Sequence, residues 1–113
     1  GGIKPNYYKD DVIECENLLK ENGLAARIMI DCSHDNSNQD YRNQGKVIED
    51  ITDQISAGNK SIFGLMLESN LFSGKQKILD NQDEMEYGIS VTDGCIDWLE
   101  THKVIKKLAK KIS

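Results

Sequence analysis

Two short apolar runs set the strongest limit on what this chain can fold into. Ile28-Met29-Ile30 lies between Arg27 and Asp31, and the segment from Ser61 to Leu67 carries Ile62-Phe63-Gly64-Leu65-Met66-Leu67 before the polar Glu68-Ser69-Asn70. Both fall well short of the roughly 20 apolar residues of a membrane helix. Continuous runs of this length suit strands buried on both faces, the habit of parallel sheets. Parallel strands need a crossover between them. Here Val47, Ile51 and Ile55, with Gln44 and Ile48 beside them, mark a helix that stops near Gly58.

The flanking segments extend the same alternation. Pro5-Asn6-Tyr7-Tyr8 reads as a turn, because proline fixes its own φ and pushes Lys4 toward an extended conformation. From about Lys9 to Asn22, Val12, Cys15 and Leu19 recur at helical spacing. Asp10 and Asp11 sit where the amino end favours negative charge, and Gly23 is a natural stop. Ser33 to Asn38 is a polar loop rich in helix-capping residues. Leu71 to Val91 is loop-like, with Gly74, Asn81, Asp83 and Gly88 and little periodicity. Ile96, Trp98, Leu99, Val104, Ile105, Leu108 and Ile112 restore a helical pattern, with Thr101 as the expected cap of the terminal helix. The expected fold class is therefore α/β, with two parallel strands and three or four helices. Two such strands need neighbours at their edges and helices above and below, so they make an incomplete sheet.

Composition narrows the functional classes. At 113 residues, one ordinary domain fits and two do not. With 14 Lys and Arg against 19 Asp and Glu, the formal net charge of -5 argues against nucleic acid as a general partner. The basic run His102, Lys103, Lys106, Lys107, Lys110 and Lys111 is interleaved with apolar residues and reads as the solvated, carboxyl-end charge of a helix. Cys15, Cys32 and Cys95 are odd in number, widely spaced and set among apolar neighbours, which points to reduced thiols in a reducing, cytoplasmic compartment. Trp98 and the Tyr7-Tyr8 pair read as packing residues. No signal peptide, membrane span, glycine-rich phosphate loop, nucleophile elbow or CxxC motif is present in the sequence.

Sites in parallel α/β proteins collect at the carboxyl ends of the strands, where the loops converge. His34 lies just beyond the first strand, Glu68 directly follows the second, and Asp93, in Ser90-Val91-Thr92-Asp93-Gly94, comes from the next connection. An imidazole and two carboxylates suit a divalent ion of the Mn, Fe, Co or Zn class, able to polarise a carbonyl oxygen or activate water. By spacing alone, a lone histidine in a polar loop is more often a solvated or hydrogen-bonded residue. Asp31 either orients the ligand loop by accepting backbone N–H bonds or simply terminates a strand. Cys32 resembles half of a Cys-x-His ligand pair, but strand alternation sends it to the face opposite Asp31, where it reads as a small apolar filler.

Four blocks carry a more specific signal. Gly1-Gly2-Ile3-Lys4-Pro5-Asn6-Tyr7, Met29-Ile30-Asp31-Cys32-Ser33-His34-Asp35-Asn36-Ser37, Gly64-Leu65-Met66-Leu67-Glu68-Ser69-Asn70 and Tyr87-Gly88-Ile89-Ser90-Val91-Thr92-Asp93-Gly94-Cys95-Ile96-Asp97-Trp98 resemble, in order and spacing, signature blocks of the class I 3-deoxy-D-arabino-heptulosonate 7-phosphate synthases. The resemblance implies a shikimate-pathway transferase that condenses phosphoenolpyruvate with erythrose 4-phosphate and releases phosphate. It implies a (β/α)8 barrel with a divalent metal held by one Cys, one His, one Glu and one Asp. Carried over by motif, the last three are His34, Glu68 and Asp93, and no catalytic residue is assigned beyond these ligands.

The family's cysteine ligand and most of its substrate-gripping Arg and Lys residues belong to blocks this chain lacks, and none of Cys15, Cys32 or Cys95 is expected to replace that ligand. One such arginine immediately precedes the Gly-Gly of the family pattern. The expectation is that residues 1–113 are the carboxyl-terminal portion of one barrel domain, partnered by the upstream barrel half. The intact enzyme is expected to be a homo-oligomer, and the fragment alone inactive and poorly able to fold. Competing readings are a 3-deoxy-manno-octulosonate 8-phosphate synthase, which the Met29 to Ser37 and Gly88 to Trp98 blocks fit less well, a free-standing α/β binding module, and a metal-binding regulatory remnant.

Overall fold

The computed structural model describes residues 3–113, so the Gly1-Gly2 start lies outside the described residues. Helix α1 (Lys9–Glu21) leads to strand β1 (Ile28–Asp31), helix α2 (Gln44–Ser56), strand β2 (Ile62–Met66) and helix α3 (Trp98–Ile112). The two strands pair in parallel, β1 beside β2. The α/β fold, with two parallel strands and three α-helices, is thus the architecture of the described residues.

Burial explains each element. Val12 anchors α1, and Gly23, at φ +71°, lets the chain turn back after the cap residue Asn22. Val47, Ile48 and Ile51 form one buried face of α2, and they pack with Ile30, Cys32, Ile62, Ile96 and Val104 into the core. Three basic residues of α3 face acids. Lys103 pairs with Glu100 in the same helix, and Lys107 and Lys111 pair with Glu49 and Asp53 of α2. The basic run is therefore a solvated helix face, as its interleaving with apolar residues predicts.

Several expectations are corrected. The strands are buried on one face only: Met29 and Phe63 are 58% and 57% exposed, because the helices pack against the face that carries Ile30 and Cys32. Ile28 pairs with Ile62 but Met29 pairs with Gly64, so Phe63 is an extra residue that breaks the alternation. Its ring lies beneath the Arg27 guanidinium, 5.0 Å from the ring centroid. The cap of α3 is Asp97, whose carboxylate accepts from the Glu100 N–H at 2.8 Å. Thr101 lies inside the first turn, buried, and donates its hydroxyl to the Asp97 carbonyl. Trp98 is 61% exposed rather than packed. Tyr7 is buried as expected, while Tyr8 is exposed.

Candidate metal centre

The ends of β1 and β2 and the segment before α3 meet on one rim. Asp31, the last residue of β1, organises the first loop. Its Oδ1 accepts from the Ser33 N–H at 2.8 Å and from the Ser33 hydroxyl at 2.6 Å, and its Oδ2 lies 2.8 Å from His34 Nδ1. His34 begins a 3-10 turn, His34–Ser37, at φ +50°, a conformation that non-glycine residues seldom adopt. The imidazole Nε2 faces the rim.

Two carboxylates meet Nε2 there. Asp93 Oδ2 lies 3.1 Å away and Glu68 Oε1 3.6 Å away. Glu68 lies two residues beyond Met66, the end of β2. Asp93 reaches the rim because Gly74 and Cys95 exchange two backbone hydrogen bonds, at 2.9 and 3.1 Å, which fold the 71–97 segment back over the strand ends. One donor atom from each of His34, Glu68 and Asp93 falls within 4.8 Å of the others. Donors about 2.1 Å from a common ion lie roughly 3 Å apart at right angles and about 4.2 Å apart in opposition. The three residues therefore fit a divalent cation in donor chemistry, and the 3.1 and 3.6 Å distances from His34 Nε2 fit one in spacing.

Electrostatics follow the same geometry. The hydrogen bond to Asp31 is the largest effect on the His34 imidazole; burial opposes it, and the hydrogen bond to Asp93 with the charges of Asp31 and Glu68 carries the balance, so the group is lifted above its ordinary range. Burial on its own raises the Asp31 carboxyl, but the hydrogen bonds from Ser33 and His34 outweigh it and hold the group below the usual value. With Asp31 accepting from Nδ1–H, Nε2 is the nitrogen that faces the carboxylates of the rim and is left to coordinate a cation once it gives up its proton.

Cys32 is fully buried among apolar side chains, and burial pushes its thiol up to about 12, which makes it a filler and not a thiolate ligand. Cys95 is buried too and directs its Sγ to the Asp93 carbonyl at 3.6 Å. Neither joins the three-residue cluster, nor does Cys15 on α1. The trio opens onto a cleft of about 350 Å³ that Tyr41, Arg42 and Lys75 also line. Lys75 and Gln44, which contacts Glu68, escape a reading by motif: one is a single cation in an aperiodic loop, the other a polar residue at a helix start.

A family model described as the DAHP synthetase I family matches residues 1–106. The chain is 47% identical over 113 residues to the Tyr-sensitive phospho-2-dehydro-3-deoxyheptonate aldolase of Salmonella typhimurium, covering all of this chain and 32% of that protein. It is 38% identical over 117 residues to the tyrosine-inhibited phospho-2-dehydro-3-deoxyheptonate aldolase of Candida albicans, covering 99% of this chain and 32% of that protein. The solved phospho-2-dehydro-3-deoxyheptonate aldolase of Francisella tularensis SCHU S4 superposes with a TM-score of 0.89 at 43% identity, over 96% of this chain and 31% of that one. The chain thus spans roughly a third of the length of these relatives.

Proposed function

The chain belongs to the DAHP synthetase I family, and on that premise we propose that it is the metal-holding, carboxyl-terminal portion of a (β/α)8-barrel enzyme that joins phosphoenolpyruvate to erythrose 4-phosphate. Residues 1–113 are then part of one domain, with the upstream barrel half as partner. The observation that carries this reading is the convergence of His34, Glu68 and Asp93 at the carboxyl ends of two parallel strands, the end at which barrel enzymes keep their chemistry.

In the proposed enzyme His34 Nε2, Glu68 and Asp93 would hold the divalent ion. When bound, that ion supplies Lewis-acid polarisation of the aldehyde carbonyl of erythrose 4-phosphate. Asp31 retains the proton on His34 Nδ1 and so keeps the Nε2 lone pair available. The two carboxylates compensate cationic charge at the rim and leave the cleft side open for a substrate. Lys75, on that cleft, contributes positive charge where anionic substrates enter.

The test uses the full-length protein. With Mn²⁺, phosphoenolpyruvate and erythrose 4-phosphate it releases phosphate and forms the seven-carbon product, while His34→Ala and Glu68→Gln each lower turnover by at least about 100-fold and weaken Mn²⁺ binding. Turnover that persists in both variants, or a preference for arabinose 5-phosphate over erythrose 4-phosphate, overturns the reading.

A further inference from the structure

Gln44 is polar, uncharged and completely buried, at the first position of α2. A buried carboxamide costs stability unless its donors and acceptor are paired. Here the pairing is specific. Gln44 Nε2 donates to the Glu68 carbonyl at 3.0 Å, and Gln44 Oε1 accepts from the Glu68 N–H at 2.8 Å. Glu68 lies beyond the last ladder residue, Met66, so its peptide groups have no strand partner in β1. The Gln44 side chain pairs both, as the partner of the Glu68 N–H and as a second donor to the Glu68 carbonyl, which also accepts from the Ile96 N–H at 3.0 Å.

The residues just before Gln44 touch the other two ligand loops. Asn43 Nδ2 donates to the carbonyl of Ser37, the last residue of the turn that His34 opens, at 3.0 Å. The ring of Tyr41 rests directly on Gly94, next to Asp93: a Cβ added there would lie 2.5 Å from Tyr41 Cδ1. Its hydroxyl end approaches Gly74, which is paired to Cys95. The entry to one helix therefore contacts all three loops that carry the trio.

We propose that Tyr41–Gln44 is a positioning bracket for the metal centre, with Gln44 setting Glu68, Asn43 the His34 turn and Tyr41 the Asp93 loop; the proposal rests on the trio being metal ligands. None of the three bracket residues needs to touch the ion. Their contribution is to hold three side chains from separate connections at ligand spacing before the ion arrives, which lowers the reorganisation that binding demands.

The experiment measures Mn²⁺ affinity by equilibrium titration, and the absorption spectrum of the Co²⁺ form, in the full-length protein. Gln44→Met keeps side-chain volume and removes both hydrogen bonds. Thr52→Val is the stability control, since Thr52 is equally buried on α2 but donates within its own helix, to the Ile48 carbonyl. Glu68→Gln tests the underlying site. The expected result is a fall of about 10- to 100-fold in Mn²⁺ affinity for Gln44→Met with an altered Co²⁺ spectrum at saturation, and neither change for Thr52→Val. Gln44→Asn, which retains the carboxamide but withdraws it by one methylene, gives a loss in the same direction and decides the matter if the Met variant does not fold. Gln44 variants that bind Mn²⁺ within threefold of the wild type, while Glu68→Gln loses binding, overturn the bracket and leave the metal centre standing. Unchanged Mn²⁺ affinity in Glu68→Gln overturns both.

Discussion

His34 pairs an uncommon backbone angle with two hydrogen-bonded ring nitrogens, and its environment fixes how it titrates. Asp31 on one side and Asp93 and Glu68 on the other favour the imidazolium, so the ring holds its proton above the ordinary histidine range. Metal binding needs the Nε2 lone pair. Affinity for Mn²⁺ is then expected to be fully developed above the raised value and to be lost as pH falls through it. Asp31→Asn preserves shape and removes the charge: at neutral pH it lowers Mn²⁺ affinity about tenfold, and it moves the pH of half-loss downward because the imidazole is less readily protonated. A titration series that gives the same midpoint for both proteins refutes this coupling. At this scale the trio was legible in the sequence because each member sits just past an apolar run or in a distinct motif. Asp31 was legible only as one of two options, because a carboxylate at a strand end looks the same whether or not it reaches a histidine three residues on. Gln44 was not legible as a contact of Glu68, since nothing in the sequence shows which backbone a buried amide will meet.

The elements show the same division between what periodicity reveals and what local geometry decides. Helices α1 and α2 and both strands fall close to where apolar spacing puts them, since burial of Val12, Val47, Ile51, Ile30 and Ile62 is what fixes them. The extra residue at Phe63 was hidden because a continuous apolar run reads the same with or without a bulge. The start of α3 was misassigned because Asp97 and Thr101 are both capping types, separated by a single turn. Asp97 prevails: its carboxylate reaches the Glu100 N–H, and the acidic side chain complements the helix amino end. Asp97→Ala is expected to destabilise the full-length protein by about 1 kcal/mol, read as a lower denaturant midpoint with an unchanged slope. Thr101→Ala would have to match that loss if threonine were the cap, through bonds accepted from the Lys103 or Val104 N–H, and the geometry gives it none: its hydroxyl faces the Asp97 carbonyl and the Ser69 hydroxyl.

The described molecule is extended for its size. Its Cα radius of gyration is 16.2 Å and its extents are 52 × 31 × 20 Å, against a radius of about 13 Å for a compact domain of this length. The two strands pair only with each other along their length, so each leaves an outer edge of unpaired backbone. Met29 and Phe63 expose the second sheet face, and Leu71, Phe72, Trp98 and Leu99 add apolar surface elsewhere. In the proposed barrel, neighbouring strands would cover both edges and the second face would become interior. Without them the same surfaces meet water, which removes the burial a cooperative transition depends on. The polypeptide of residues 1–113, produced alone, is therefore expected to unfold over a broad urea range, to bind a hydrophobic dye before unfolding, and to self-associate at micromolar concentration. A sharp, concentration-independent two-state transition from a monomer would show that the two-stranded sheet is self-sufficient, and would favour the free-standing binding module over the barrel.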